Sequence, residues 1–277
     1  PVQSATPAAQ RPPNIVVILA DDLGFNDISF YGGGLGGGMV KTPHIDSIAR
    51  DGFHLTRGYT GNATCAPSRA ALLTGRYPTR YGFEFTPAPL SFMRLTASFD
   101  PGVERPHQAI LFEETMDQHP PYETKGVPPD EIMLPRLLAA RCYHSVILGK
   151  WHLGEADHQG PLARGFDEFL GFLPGAAAYA EFDDPDHVKS IQAFDPIDAF
   201  LWPNLPFAVR YNDGPRFTPS GYLTDYLSNA AVEVIAANRH RPFFLYLSYN
   251  APHTPLHATR ADYDALAAIE NHTELAR

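Results

Sequence analysis

Apolar residues along this chain follow two rhythms. The run NIVVILA, Asn14 to Ala20, is continuous, β-branched and bounded by Pro13 and Asp21, the pattern of a strand buried on both faces. SVILGK, ending at Lys150, and FFLYLSY, Phe243 to Tyr249, repeat it. The other rhythm is a 3.6-residue period through Leu223, Tyr226, Leu227, Ala230, Ala231 and Val234, which predicts a helix with one apolar face. Shorter helices are predicted from Thr42-Pro43 through Ile45, Ile48 and Ala49 to a stop at Gly52, over SRAALLTG to a stop at Gly75, and over Glu131 to Arg141. FHLTRGYT reads as an extended segment leading to Cys65. Strands and helices in this alternation predict an α/β layered fold around a largely parallel central sheet, with helices on both faces. Residues 84–129 and 174–220 break the rhythm with Pro-rich, aperiodic sequence, and are predicted to be loops over the sheet edge.

Composition narrows what such a fold can do. A chain of 277 residues that is 44% hydrophobic can bury one sizeable core. Its 21 Lys and Arg against 31 Asp and Glu give a net charge of −10, and no basic run occurs, which argues against nucleic acid or an anionic membrane as partner. An anionic substrate would need a local cluster of cations. The chain has no apolar run of membrane-spanning length. Residues 1–12 are small, polar and Pro-rich, a flexible segment of the kind left after a signal peptide is removed, so the expected location is secreted or periplasmic. Two cysteines make no disulfide framework, and Cys142, in LLAARCYHSVIL, is expected to be an inert buried thiol. Asn62-Ala-Thr64 and Asn271-His-Thr273 match the glycosylation pattern, which is short enough to arise by chance.

Open α/β sheets bind ligands beyond the carboxyl ends of their strands. The first strand runs into Asp21-Asp22, the second into Gly149-Lys150-Trp151-His152, and FFLYLSY into Asn250-Ala-Pro-His253. Cys65 stands at a helix start with Arg69 one turn on. Singly, each has an ordinary reading: a turn, a solvated Lys, a satisfied loop His, a plain nucleophilic thiol. Together they suggest more. Adjacent carboxylates suit a hard cation such as Ca²⁺ or Mg²⁺, and Arg, Lys and two His suit an oxyanion with several oxygens. That combination points to hydrolysis of a sulfate or phosphate ester.

Cys65-Ala66-Pro67-Ser68-Arg69, followed by Leu73-Thr74-Gly75-Arg76, resembles the signature of the type I sulfatases, in which the cysteine is oxidised to formylglycine. PNIVVILADDLG, TPHIDSIARDG, GKWHLG and NAPHTP resemble that family's other blocks, in the family's order. The resemblance implies an alkaline-phosphatase-like fold, with residues 13–277 as the N-terminal catalytic domain. It implies a Cys65-derived formylglycine, whose hydrate supplies the nucleophile, and a modifying enzyme, the formylglycine-generating enzyme, as partner. The cation would be Ca²⁺, with Mg²⁺ as the alternative, held by Asp21, Asp22 and position 65. Arg69 and Lys150 would hold the hydrate and the sulfate, His253 would contact sulfate and the leaving alcohol, and His152 would take the proton that releases sulfate.

Family members continue into an Asp-Asn-Gly block, a further active-site Lys and a smaller C-terminal subdomain, and this sequence contains no Asp-Asn pair. The expectation at this stage is an incomplete catalytic domain, inactive or nearly so as given, unless Asp183, Asp184 and Asp186 replace the missing ligands. Ala176-Ala177-Ala178-Tyr179 also stands where many members carry a polar substrate-binding residue. The expected activity is a sulfatase acting on a sulfated carbohydrate, or else an aryl sulfate. The alternatives are a phosphate or phosphonate ester hydrolase on the same scaffold, and an inactive form that only binds anionic glycans. Arg94, Arg105, His107, Lys189 and Arg210 are the loop residues that could face a sulfated sugar or solvent.

Overall fold

The computed structural model describes residues 11–34, 38–98, 110–192, 195–267 and 269. Residues 1–10, Arg105, His107 and the Asn271 glycosylation pattern lie outside these. The strands are β1 (Ile15–Asp21), β2 (His144–Lys150), β3 (Glu168–Phe172), β4 (His187–Ser190), β5 (Val209–Tyr211), β6 (Arg216–Phe217), β7 (Phe243–Pro252) and β8 (Leu256–Thr259). A six-stranded sheet runs in the order β1-β7-β2-β3-β5-β6, while β4 and β8 form a separate antiparallel pair. The first four strands are mutually parallel, and β5 and β6 continue antiparallel. The helices are α1 (Pro43–Asp51), α2 (Cys65–Thr74), α3 (Leu90–Ser98), α4 (Leu134–Ala139), α5 (Pro196–Asn204), α6 (Leu223–Asn238) and α7 (Arg260–Ala265).

The pleat divides the central strands between two cores. Phe244 and Tyr246 of β7 and Ile147 of β2 face one side, with Ala66, Ala70 and Leu73 of α2. Phe243, Leu245 and Leu247, together with Val146 and Leu148, face the other, where Leu223, Leu227 and Ala231 of α6 cover them. The predicted stripe of α6 is the face that packs, with Tyr226, Ala230 and Val234 partly buried beside it. Burying each large apolar side chain contributes roughly 1.5–3 kcal/mol, so a strand and a helix sandwiching it define each other's register. Helix α2 stops as predicted, at Gly75 with a left-handed φ of 66°.

Three expectations are corrected. β1 is not buried on both faces: Ile15, Val17 and Leu19 pack on the first core, while Val16 and Ile18 are 44% and 57% exposed. It is the outer strand of the sheet, paired with β7 on one edge, and Val16 and Ile18 stand on the face turned away from the first core. Cys142 is exposed, with φ at +61°, because α4 ends at Ala139 and the thiol falls in the tight turn into β2. The segments 84–129 and 174–220 are not all loop. They carry α3, α5 and β4, and β5 and β6 extend the central sheet. Strands of two or three residues are too short to show a period, which is why the pattern missed them.

Candidate active site

Because β1, β7 and β2 are parallel neighbours, their carboxyl ends open on one edge and bring Asp21, Ser248 and Lys150 together. Gly149 pairs with Ser248 across β2 and β7, and the β1 register shifts between Leu19 and Asp21, a bulge that re-aims the last residues of the strand. Gly149 has φ +100°, and a Cβ there would lie 2.0 Å from the Ser248 carbonyl oxygen. Only glycine permits this approach and this twist immediately before Lys150.

Three charged side chains meet in the interior beyond these ends. Lys150, Arg69 and Asp21 are 0%, 2% and 4% exposed. Lys150 Nζ donates to Asp21 Oδ2, and Arg69 Nη2 lies 3.1 Å from Asp21 Oδ1. Arg69 comes from the buried side of α2, and its Nη1 donates to the Lys150 carbonyl at 3.0 Å and to Ser248 Oγ. Ser248 Oγ in turn donates to the Lys150 carbonyl at 2.7 Å. Burial pushes the Asp21 carboxyl up, but Lys150, Arg69 and His253 outweigh it and hold the group below the usual carboxylate range. Burial and the Arg69 charge draw the Lys150 ammonium down against the pull of Asp21. Two cations against one carboxylate leave a buried positive excess, which an oxyanion would neutralise.

Cys65 is the first residue of α2, one turn from Arg69, and half-buried. Its Sγ lies 3.8 Å from Thr86 Oγ1, and it is near enough to Lys150 to influence that ammonium. Asn62, the first glycosylation candidate, accepts from the backbone N–H and hydroxyl of Thr64 at 3.0 and 3.1 Å, and so shapes the approach to the helix.

Both histidines are present. His152 is buried, with φ +60°, and burial followed by the charges of Lys150, Arg69 and His253 drives its imidazole well below the ordinary value, so it is neutral at neutral pH. Its Nδ1 has no hydrogen-bond partner among the described residues. Gly175 backs directly on the ring, where an added Cβ would come within 2.7 Å of Cε1 and Nε2. His253 lies beyond β7, with Nδ1 donating to the Thr254 carbonyl and Nε2 3.6 Å from Asp22 Oδ2. Burial and Lys150 lower its imidazole too. The Tyr179 hydroxyl donates to the His253 carbonyl at 2.8 Å, so the run Ala176 to Tyr179 is buried packing that supports the site.

Sequence reading missed Ser248 and Gly175. A lone serine among the apolar residues of FFLYLSY was the available signal for the first; the second had none. The loop cations are engaged locally: Arg94 pairs with Glu113 at 3.2 Å, Lys189 donates to the Phe182 carbonyl, and Arg210 donates to the Gly214 carbonyl at 3.2 Å. Asp184 pairs with His187 at 3.2 Å and accepts from the Asp186 backbone N–H.

Asp21 and Asp22 are hard donors of the kind a divalent cation takes, and they fit part of such a site. The Asp22 carboxylate is largely exposed and so open to further ligands. Among the described residues, however, no group of three or more His, Cys, Asp or Glu side chains is arranged to hold a metal ion; Asp21, Asp22 and Cys65 do not form one, and neither do Asp183, Asp184 and Asp186. Both Asp21 oxygens already face cations.

The family model described as Sulfatase matches residues 13–274. The chain is 33% identical over 263 residues to N-acetylgalactosamine-6-sulfatase of Homo sapiens, covering 91% of this chain and 42% of that protein. It is 33% identical over 260 residues to arylsulfatase A of Bos taurus, covering 90% and 43%. The solved structure of Ps i-CgsB in complex with k-i-k-neocarrahexaose matches with a TM-score of 0.65 and 32% identity, covering 96% of this chain and 51% of that one. The chain thus spans less than half the length of the curated relatives it matches. The layered α/β architecture is the alkaline-phosphatase-like fold. By its family match, and with its cysteine, arginine and lysine gathered at the strand ends, the chain belongs to the sulfatase family.

Proposed function

We propose that the protein hydrolyses sulfate esters, with Asp21, Asp22, Cys65, Arg69, Lys150, His152 and His253 as its working groups. The observation that carries this reading is the buried positive excess of Arg69 and Lys150 around Asp21, beside the helix that begins with Cys65. Oxidation of Cys65 to formylglycine by a formylglycine-generating enzyme would provide the attacking oxygen at that position. Asp21 and Asp22 would hold a divalent cation, Ca²⁺ in our reading, which when bound withdraws charge from the ester oxygens.

The chain's own groups supply the rest. Arg69, fixed by Ser248 and the Lys150 carbonyl, and Lys150, held by Asp21, bind sulfate oxygens and stabilise the charge that builds on them; a preorganised donor of this kind is worth about 10²- to 10³-fold in rate. His152, neutral and with Nδ1 uncommitted, can take up a proton inside the site. His253 presents Nε2 on the Asp22 side, where it can contact sulfate and the departing alcohol. A sulfated carbohydrate is the preferred substrate class, supported by the names of N-acetylgalactosamine-6-sulfatase and of the Ps i-CgsB oligosaccharide complex. An exported location, secreted or periplasmic, suits such a substrate, and among the described residues no helix is long and apolar enough to cross a membrane.

The test is turnover of matched aryl sulfate and aryl phosphate esters by protein carrying the modified Cys65. Sulfate should be the faster substrate; faster phosphate release would replace this reading with a phosphoesterase, and binding without turnover of either would leave only an anion-binding protein. A second expectation concerns Gly175. Gly175→Ala should push the His152 ring aside and lower sulfate-ester turnover by about tenfold to a hundredfold, because misplacing a catalytic group by about 1 Å has that effect. The thermal midpoint should fall as well, since the ring is buried and has to shift to admit the new methyl. Unchanged turnover would show that His152 needs no fixed position.

A further inference from the structure

Helix α5 contributes a buried carboxylate that the proposed chemistry does not use. Asp198 is 0% exposed, and its two oxygens accept from three donors. Oδ2 takes the Gln192 backbone N–H at 2.5 Å and Trp202 Nε1 at 2.9 Å; Oδ1 takes the Thr254 hydroxyl at 2.5 Å. A buried carboxylate satisfied in this way is rigid, and it transmits its position to whatever its partners hold. Thr254 follows His253, and its carbonyl is the acceptor for His253 Nδ1.

The geometry points to Asp198 as a positioning residue for His253, acting through Thr254. The assignment rests on His253 serving the proposed sulfatase reaction. Donation from Nδ1 to a carbonyl keeps a proton on Nδ1 and leaves Nε2 as the atom presented toward Asp22 and the site, where it accepts a proton in the neutral ring and can hand it on to the departing alcohol. The Asp198–Thr254 bond ties the 250–255 turn to α5, 56 residues away in sequence. Two further bonds clamp the turn from other sides: Tyr179 donates to the His253 carbonyl, and the His253 backbone N–H donates to the Asn250 carbonyl at 2.9 Å. Those two hold the backbone. Of these three bonds, the Asp198 link is the one that reaches the residue whose carbonyl receives the imidazole proton.

The experiment follows the His253 tautomer directly, by long-range proton–nitrogen correlation spectra of ¹⁵N-histidine protein at neutral to alkaline pH. The parent should show the Nδ1–H form. Thr254→Val removes the hydroxyl at nearly constant volume, and Asp198→Asn removes the charged acceptor; both should shift His253 toward a mixture with the Nε2–H form. Thr254→Ser, which keeps the hydroxyl, should restore the parent spectrum. In turnover of an aryl sulfate, both disruptive variants should lose about tenfold to a hundredfold in kcat, with KM little changed. If Thr254→Val and Thr254→Ser give the parent tautomer alike, the proposal is wrong. Thr254 is only partly buried, so both of its variants should fold even if Asp198→Asn does not. The tautomer readout does not depend on turnover, so failure of the sulfatase reading would appear as a normal tautomer response with no ester hydrolysed.

Discussion

Replacing Lys150 by methionine is expected to reduce sulfate-ester turnover by at least about 10²- to 10³-fold and to destabilise the fold at the same time. The side chain is fully buried, its ammonium is bonded to Asp21, and its carbonyl receives both Arg69 and Ser248. Methionine keeps the apolar stem and leaves the backbone contacts in place, so the change isolates the charge. Asp21 would then keep Arg69 as its remaining close cation at 3.1 Å, and breaking one side of a buried ion pair typically costs about 3–5 kcal/mol. The positive excess disappears as well: one Arg against one Asp leaves nothing to attract an anion. Denaturant midpoints and kcat on an aryl sulfate check both halves. A variant with stability and turnover close to the parent's would mean that the buried cluster is neither structural nor catalytic.

Gly149→Ala should act through the backbone and be larger still in stability, at about 4 kcal/mol or more. A side chain at φ +100° is strained wherever it stands, and here the new Cβ would meet the Ser248 carbonyl oxygen at 2.0 Å. The same carbon would lie 3.3 Å from Leu227 Cδ1 of α6, so the clash cannot be relieved by moving toward the helix. β2 and β7 would have to separate at the point where they deliver Lys150 and Ser248 to the site. Loss of soluble folded protein, or a large fall in the unfolding midpoint with no measurable turnover, is the expected result. A folded and active Gly149→Ala protein would show that the sheet edge is more pliable than the pairing implies.

What could be read in the sequence was what repeats. The apolar run of β7 and the stripe of α6 identified a strand and a helix that bury each other, and the residues following the strands offered Asp21, Lys150, His152 and His253 as candidates for one sheet edge. Cys65 and Arg69 were legible because one helical turn separates them at a helix start. What was not legible depends on contacts distant in sequence. β1 has the composition of a central strand but takes the outer place, and nothing in NIVVILA states its neighbours. Cys142 sits among apolar residues yet is exposed, because α4 ends three residues before it and a turn reverses the chain. α5 did carry a local signal, Asp195 capping the Ile197 N–H with Pro196 at the first helical position, within a segment set aside as loop. Ser248, Gly175 and Asp198 meet Arg69, His152 and Thr254 across the fold, and no periodicity encodes such pairings.

Position 65, set beside Arg69 and Lys150, is proposed to become the nucleophile for a sulfate ester. The most direct test is to prepare the protein with graded amounts of a formylglycine-generating enzyme and to measure two quantities on each sample: the fraction of the Cys65 peptide that has lost roughly 18 Da, the mass change of thiol to aldehyde, and sulfate released from an aryl sulfate. Release should rise in proportion to the modified fraction and be absent from Cys65→Ala. Equal release from unmodified and modified protein, or from Cys65→Ala, would contradict it.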